Sequence, residues 1–376
     1  MKFNPEEPFP LPNLPPEADL SNRTFADDLL AARVELAELK GYTELLPNPL
    51  LLISPAVLRE SIASSEIENI HTTILDALQM QLFPEAERRE NDKEVLRYRD
   101  ALMEGFGLLG ELPVCTRMIH RIHRGLIPSG EEDYRRLQNR IVDGAGRAVY
   151  TPPEAQKLPR LMQNWEEFLN RQNDKTDPLI KSAMAHYQFE AIHPFSDGNG
   201  RCGRILIVLY LVQAGLLRWP ILFISGYLIR QRADYYRLLR VVTREGDWEG
   251  FIRFMLAGFH QQAVETRALL LETMKLLSEW KNRVRQSLPK IYSRELIEAL
   301  FSTPITTPLH LARALGVHYT TSTRYLRQLQ ESGFLKSRTH GKYHLFMNYE
   351  LLDLLQHQKP ARQPRSPELE TVPVET

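Results

Sequence analysis

His193-Pro194-Phe195-Ser196-Asp197-Gly198-Asn199-Gly200-Arg201-Cys202-Gly203-Arg204 decides how this chain is read. These twelve residues hold one imidazole, one carboxylate, one carboxamide, three glycines and two guanidiniums. No hydrophobic core requires that mixture. Ahead of it, Ile180 to Ile192 has the spacing of an amphipathic helix, with Ala183, Met184, Tyr187 and Ala191 as its apolar side. Behind it, Arg204 to Leu217 is apolar nearly all round, from Ile205 through Val212, and predicts a buried helix. The stretch is therefore a joint between two helices, and Gly-Asn-Gly-Arg opens the second.

A helix start offers free N–H groups and the positive end of the dipole, so it attracts anions. Gly198 and Gly200 allow a backbone nest around phosphate oxygens. Arg201 and Arg204 add charged forks that suit phosphate. Asp197 offers the oxygen ligand that Mg2+ takes alongside phosphates and water. His193 is the one group of the stretch that exchanges a proton near neutral pH. A base, a metal ligand and a polyphosphate cradle point to transfer of a nucleotide or phosphoryl group to a hydroxyl. The plainer alternative is a loop held by Arg and Asp pairs.

The stretch resembles, position for position, the Fic-domain signature His-Pro-Phe-x-(Asp/Glu)-Gly-Asn-Gly-Arg-x-x-Arg. The resemblance implies a protein adenylyltransferase that moves AMP from ATP to Ser, Thr or Tyr hydroxyls of target proteins and of itself. Carried over, His193 is the catalytic base and Asp197 holds Mg2+. Asn199 and the loop amides contact the α- and β-phosphates, so Gly198, Gly200, Cys202 and Gly203 join the expected ATP-binding set. Arg201 serves the β-phosphate and Arg204 the γ-phosphate. As a side chain, Cys202 stands at a variable motif position and is a bystander. A related branch phosphorylates instead, but differs where this chain has Gly200-Arg201.

The chain has 376 residues, enough for two or three domains. Its 43% hydrophobic and 25% charged content is ordinary for a soluble protein with a core. Net charge is zero, so no global basic field announces nucleic acid. Two cysteines, Cys115 and Cys202, give no disulfide framework and no metal-ligand spacing. No signal peptide is read at the N-terminus, and Ile205 to Val212 is far short of the ~20 apolar residues of a membrane helix. A cytoplasmic protein without membrane association is expected.

Met1 to Leu20 is proline-rich and predicts an extended arm on its own domain, of a kind similar to arms that open many Fic proteins. Thr24 to Lys40 predicts a helix with Leu29, Leu30, Val34 and Leu36/Ala37 inward, stopped by Gly41. Ser54-Pro55 reads as an N-cap with proline at the first helical position. Ser64 and Glu68 then share one helix face, four apart, and periodicity alone makes this an exposed turn. The resemblance adds that Ser64-x-x-x-Glu68-Asn69 fits the inhibitory pattern (Ser/Thr)-x-x-x-Glu-(Gly/Asn) of Fic proteins whose inhibitor precedes the core. It implies that Glu68 pairs with Arg204, denies the γ-phosphate its partner and misplaces the α-phosphate from His193. An ångström of misplacement costs on the order of a hundredfold in rate.

Asn91 to Leu109 and Thr116 to Gly125 predict helices; His120 and His123 on the second could share a metal but lack a visible third ligand. Arg140 to Pro153 reads as a hairpin around Asp143-Gly144. The resemblance makes it a flap that binds the target hydroxyl's segment as an added strand, with Arg147, Ala148, Val149 and Tyr150 against the nucleotide. Lys157 to Arg171 is a further helix. In Ser225 to Leu239 a paired tyrosine resembles the family's, and Tyr235 is carried over to the adenosine part. Gln261 to Arg285 is a connecting helix that could also provide a homodimer face.

The end of the chain reads as a winged helix: helices at Tyr292–Phe301, at Pro308–Leu315 with Leu309, Ala312 and Leu315 inward, and at Tyr319–Ser332, then a hairpin around His340-Gly341. From 285 to 350 nine Lys/Arg face four Asp/Glu, and Thr320, Thr321, Thr323, Arg324 and Arg327 fall on or near the recognition helix, so DNA is a candidate partner. The fold class expected is mainly α: a Fic helical core with a small β-hairpin flap, a long connecting helix and a C-terminal winged helix-turn-helix. The expected partition is 1–110 arm and helical region with inhibitory helix, 111–260 catalytic core, 261–288 connector, 289–355 winged helix and 356–376 disordered tail. The competing function is a DNA-binding regulator whose core Glu68 keeps silent; removal of AMP, dependent on Glu68, is a further alternative.

Overall fold

The computed structural model describes residues 3–18, 20–44, 49–172 and 174–356; the tail expected to be disordered lies, from 357 on, outside the described residues. The N-terminal arm runs without helix or strand across the core. Asn164 clasps Leu14 through both its backbone groups (2.8 and 3.0 Å), and Gln188 donates to Pro12 O (2.7 Å).

Helix α1 (Ala26–Glu44) buries Leu29, Ala32, Leu36, Leu39 and Thr43. Leu30 and Val34, expected inward, are exposed, because one inward sector cannot also hold residues a further 100° round the helix. Gly41 lies inside α1 and does not stop it. Helix α2 (Pro49–Ile67) begins before the expected Ser54 cap, with Pro49 as its first residue and Pro55 in its interior. Thr73 caps α3 (Ile74–Met80) by accepting from Asp76 N (3.1 Å). Then come α4 (Glu90–Leu108) and α5 (Thr116–Leu126).

Strands β1 (Ile141–Val142) and β2 (Ala148–Tyr150) form the expected hairpin, pairing Ile141 with Tyr150 and Val142 with Ala148. Asp143 holds its turn by accepting from the backbone of Ala145 (2.9 Å) and Arg147 (3.0 Å). Helix α6 (Leu158–Asn170) leads to α7 (Pro178–Ile192). α7 is buried on every side and is not amphipathic: Lys181, His186 and Gln188 are as enclosed as Ala183. Helix α8 (Asn199–Gln213) begins within the motif, α9 (Ile224–Arg230) and α10 (Arg232–Glu245) meet at Gln231, and α11 (Trp248–Ser287) runs 40 residues unbroken. The last catalytic helix and the connector are thus one rod, along which α1 lies, tied by Arg267 to Glu35 (2.7 Å) and Glu38 (2.8 Å).

The C-terminal module has α12 (Arg294–Ser302), β3 (Ile305–Thr306), α13 (Pro308–Leu315), α14 (Tyr319–Glu331), β4 (Lys336–His340), β5 (Tyr343–Met347) and α15 (Tyr349–Gln356). Its antiparallel sheet has the order β3-β5-β4, and Gly316 at φ 63° turns α13 into α14, which is the arrangement expected of a winged helix. Leu309 points outward and Leu311 takes its place inside.

Two hydrophobic cores result. The first joins α1, the second half of α4, α5 to α10 and the start of α11; the second joins α3, the first half of α4, the end of α11 and the C-terminal module. Helix α2 belongs to both, through Val57 and Ile67 on one side and Leu58 on the other. It packs against α4, α9 and α12.

Candidate active site

His193 ends α7 with φ 50°, a left-handed conformation that costs a non-glycine residue free energy. Buried Arg135 holds it there: its backbone N–H donates to Pro194 O (2.9 Å) and its guanidinium to His193 O (2.9 Å), Leu137 O (3.1 Å) and Pro153 O (2.5 Å). One side chain thus joins the motif loop to the end of the flap. With Nδ1 donating to Glu190 O (3.3 Å), His193 Nε2 keeps its lone pair. Burial pulls its pKa down to about 4, so the ring is neutral at pH 7.

Asn199 staples the loop: Phe195 N donates to its Oδ1 (2.9 Å) and its Nδ2 to Phe195 O (2.8 Å). Both ends of the carboxamide, expected at the phosphates, are therefore engaged by backbone. The Phe195 ring stacks on His123 (3.7 Å), whose Nε2 donates to Asp197 O (3.0 Å). His123 is thus a loop support, and among the described residues no group of three metal-ligating side chains forms around it or His120. Gly198, at φ 79°, caps α8 where a Cβ would lie 2.9 Å from Ile127.

Helix α2 meets the motif at Arg204, which is 1% exposed. Its Nε donates to Ser64 Oγ (2.8 Å), and its Nη2 to Ser64 O (2.9 Å) and Glu68 Oε1 (2.8 Å). Burial raises the Glu68 pKa, but Arg204, with Arg201 and His193 behind it, holds the carboxyl below its ordinary range. Asn69 follows in the left-handed conformation (φ 62°), where Ile70 N reaches back to Ser65 O (3.0 Å) and closes the end of α2. Asn69 Oδ1 also accepts both amino groups of Arg232 (3.2 Å each). Ser61, Ser64 and Ser65 are buried, so the exposed turn that periodicity predicts is not formed. Gly200 lets this contact happen, since a Cβ there would strike Glu68 and Arg204.

Glu68, His193, Gly200 and Arg204 line one cavity of about 290 Å³, together with Val149 and Tyr150 of the flap and Tyr235 of α10. Tyr150 donates to Ala191 O (2.8 Å), and Tyr235 OH meets His186 Nε2 (2.8 Å). Other expected residues lie elsewhere. Arg201 does not line the cavity; it pairs with Glu94 of α4 (2.5 Å) and reaches Asp197 (3.6 Å). The Cys202 side chain is fully buried in the first core, and Gly203 backs onto Glu190. Arg147 is exposed and paired with Asp143 (2.8 Å); Ala148 next to it does not reach the cavity. Asp197 projects from the loop, 72% exposed, with Oδ1 accepting from Gly198 N (2.5 Å). A single exposed carboxylate beside the free N–H groups of a helix start fits Mg2+, which takes most of its ligands from phosphate and water.

Sequence reading missed four groups. Arg135 and Glu94 carry no local signature. Glu190 lines the cavity, its carboxyl pushed up to about 7 by burial, and among the described residues its Oε1 has no hydrogen-bond partner. Glu60 on α2 is wholly buried, its carboxyl also raised to about 7 by burial, and accepts from Ser225 N (3.1 Å), Ser225 Oγ and Tyr98 OH (3.1 Å). Between Arg59 and Ser61 it carries no signal in the sequence.

Comparison with known proteins agrees with this geometry. Three family models match in succession: Fic/DOC family N-terminal over residues 26–107, Fic/DOC family over 113–211, and the C-terminal domain of SoFic-like protein adenylyltransferases over 276–351. The chain belongs to the Fic/DOC family. It is similar to the protein adenylyltransferase Fic of Drosophila grimshawi, 33% identical over 153 residues, which are 39% of this chain and 29% of that protein. The counterpart from Drosophila mojavensis is 34% identical over 39% of this chain and 28% of its own length. The match thus spans less than a third of these relatives. Among solved structures, a Fic family protein from Desulfovibrio desulfuricans G20 shares the fold with a TM-score of 0.53 at 22% identity, over 85% of this chain and 95% of its own. Fic-1 from C. elegans does so with a TM-score of 0.51 at 20% identity, over 67% and 74%.

Proposed function

We propose that this chain is a protein adenylyltransferase that moves AMP from ATP onto Ser, Thr or Tyr hydroxyls of a target protein and of itself, and that Glu68 holds it inhibited. The observation that carries the reading is one cavity joining a neutral histidine, an arginine from the second turn of α8 and a carboxylate that occupies that arginine. The printed names of the relatives, protein adenylyltransferase, support the same chemistry.

His193 Nε2 takes the proton of the target hydroxyl as its oxygen attacks the α-phosphorus of ATP. The bond from that phosphorus to the α,β-bridging oxygen breaks, and pyrophosphate leaves with the electron pair. Arg204 and the free amides at the start of α8 hold the phosphates in line. Asp197 would hold Mg2+, which supplies charge neutralisation for the leaving pyrophosphate. The flap presents the target segment by its backbone, so that its register sets which hydroxyl reaches His193. Glu68 counters all of this by keeping Arg204 from the γ-phosphate.

Transfer of label from α-labelled ATP tests the reading. Glu68→Gly should label itself or a target, and Glu68→Gly/His193→Ala should label nothing. A folded Glu68→Gly protein that binds ATP but transfers no label would overturn it.

A second reading, DNA binding by the C-terminal module, is favoured by α14. Arg324 and Arg327 are exposed there, and among the described residues neither has a carboxylate partner. The wing is less available: Phe83 stacks on His340 (5.4 Å) and Tyr343 (4.4 Å), and Glu87 pairs with Lys342 (2.8 Å). Duplex binding that weakens with salt and with Arg327→Ala would support it; no binding at low salt would remove it.

A further inference from the structure

We propose that the N-terminal arm is part of the nucleotide site, with the Phe3 ring forming the wall that packs on the base. This rests on the reading of the cavity as an ATP site, and it adds a binding residue that the Fic signature does not contain. Helix α10 turns one face to the cavity: Tyr235, Tyr236, Leu239, Arg240 and Thr243. At 1.5 Å per residue that face is ~12 Å long. Its Tyr235 end lies in the field of Arg204 and Glu68. Its other end lies at Phe3, because Arg244, one residue beyond Thr243, sits over the Phe3 ring at 5.1 Å. Phe3 thus closes the cavity at the end away from the phosphate arginine, and Ile141, Val149 and Leu239 add apolar surface to its lining. A cavity with Arg204 at one end and an aromatic wall ~12 Å away, beside Arg240, suits a nucleotide lying lengthwise, triphosphate on Arg204 and ring on Phe3.

The ring is held there by construction. Phe9 N donates to Thr151 O (2.9 Å) and Thr151 Oγ1 to Pro5 O (2.6 Å), just past the flap strand. Glu6 pairs with Arg140 at the other root of the flap (3.0 Å). Phe9 packs between Tyr150 (5.8 Å) and Phe3 (6.0 Å), so an aromatic row runs from the flap to the cavity wall. The arm therefore bridges both strands of the flap and delivers one side chain to the base.

The test uses the full chain carrying Glu68→Gly, with ATP and inorganic tripolyphosphate titrated separately in Mg2+ by calorimetry. Phe3→Ala should weaken ATP roughly tenfold, the scale of losing one base–aromatic contact. It should leave tripolyphosphate and the unfolding temperature unchanged, and Phe3→Trp should restore ATP affinity. Unchanged ATP affinity in Phe3→Ala would overturn the inference, and so would an equal loss for both ligands, which would assign Phe3 to general folding of the site. If the Glu68→Gly parent binds tripolyphosphate but not ATP, the ATP reading of the cavity falls first, and this inference with it.

Discussion

Replacing Glu68 with glycine should convert a nearly silent protein into an active one, and the size of the effect follows from the Arg204 contacts. Arg204 makes three hydrogen bonds to α2, two to Ser64 and one to Glu68. Glu68→Gly removes one and leaves the two from Ser64, so the guanidinium stays in place with Nη2 partly released. A hydrogen bond to a charged group contributes roughly 1.5–3 kcal/mol. Glu68 is 36% exposed, so screening by solvent sets the value near the lower end. About 1.5 kcal/mol returned to a γ-phosphate is roughly tenfold in ATP affinity. Seating that phosphate also aligns the α-phosphate with His193, which contributes on the order of a hundredfold in rate. The expected outcome is therefore KM for ATP lower by about tenfold and kcat higher by about a hundredfold. Initial rates of label transfer from α-labelled ATP, over a range of ATP concentrations, separate the two. Glu68→Gln should fall between, because it keeps an acceptor while losing the charge that repels phosphate. Equal kcat in wild type and Glu68→Gly, with both binding ATP, would refute the reasoning.

Other outcomes follow from the same geometry. In the Glu68→Gly protein the base must be neutral; with Glu68 in place, whose charge raises it, the His193 pKa is about 4, so transfer should stay level from pH 8 to near pH 5 and fall as His193 protonates below that, which a pH–rate profile shows. A fall centred near the ordinary histidine value would contradict it. Arg135→Ala removes the donor that three carbonyls share; it should cost about 2–4 kcal/mol of stability by denaturant titration and much of the transfer rate. Arg135→Lys should rescue little of either, since one ammonium cannot span the three. Glu60 has a folded pKa of about 7 against 4.5 in the open chain. The folded state therefore binds the extra proton between these values. Its contribution is full below pH 4.5 and is lost as pH rises through about 7, on the order of 3 kcal/mol. Glu60→Gln should lack that part of the decline when unfolding free energies at pH 5 and pH 8 are compared.

What the sequence made legible was local. The motif, its two flanking helices, the hairpin and the C-terminal module each announce themselves within a dozen or so residues, where periodicity, glycine and capping chemistry act. Contacts across long separations were not legible. Arg135 reaches His193 from 58 residues away, and Glu60 reaches Ser225 from 165. No spacing rule links such pairs. Even local signals failed where two readings shared a helix. In α1, Leu29, Leu30, Val34 and Leu36 cover more than one sector, and only packing against α11 chose between them. Asn199 and Arg201 show a different limit: the residue types were read from the motif, but their side chains point to Phe195 and Glu94, which only the fold supplies.

Helix α2 lends residues to both hydrophobic cores, and this restricts how the protein could be turned on. An α2 that lifted away whole would tear apolar surface from both cores at once, a sum comparable with the entire stability of a domain. Release is therefore confined to the last turn, where Glu68 is 36% exposed and Asn69 is latched to Arg232 by its side chain alone. On that reading an activating partner needs only to part Asn69 from Arg232 and Glu68 from Arg204. The same economy would make the device sensitive to mutation: single substitutions at this turn should free Arg204, while those a turn or two earlier should destabilise the fold.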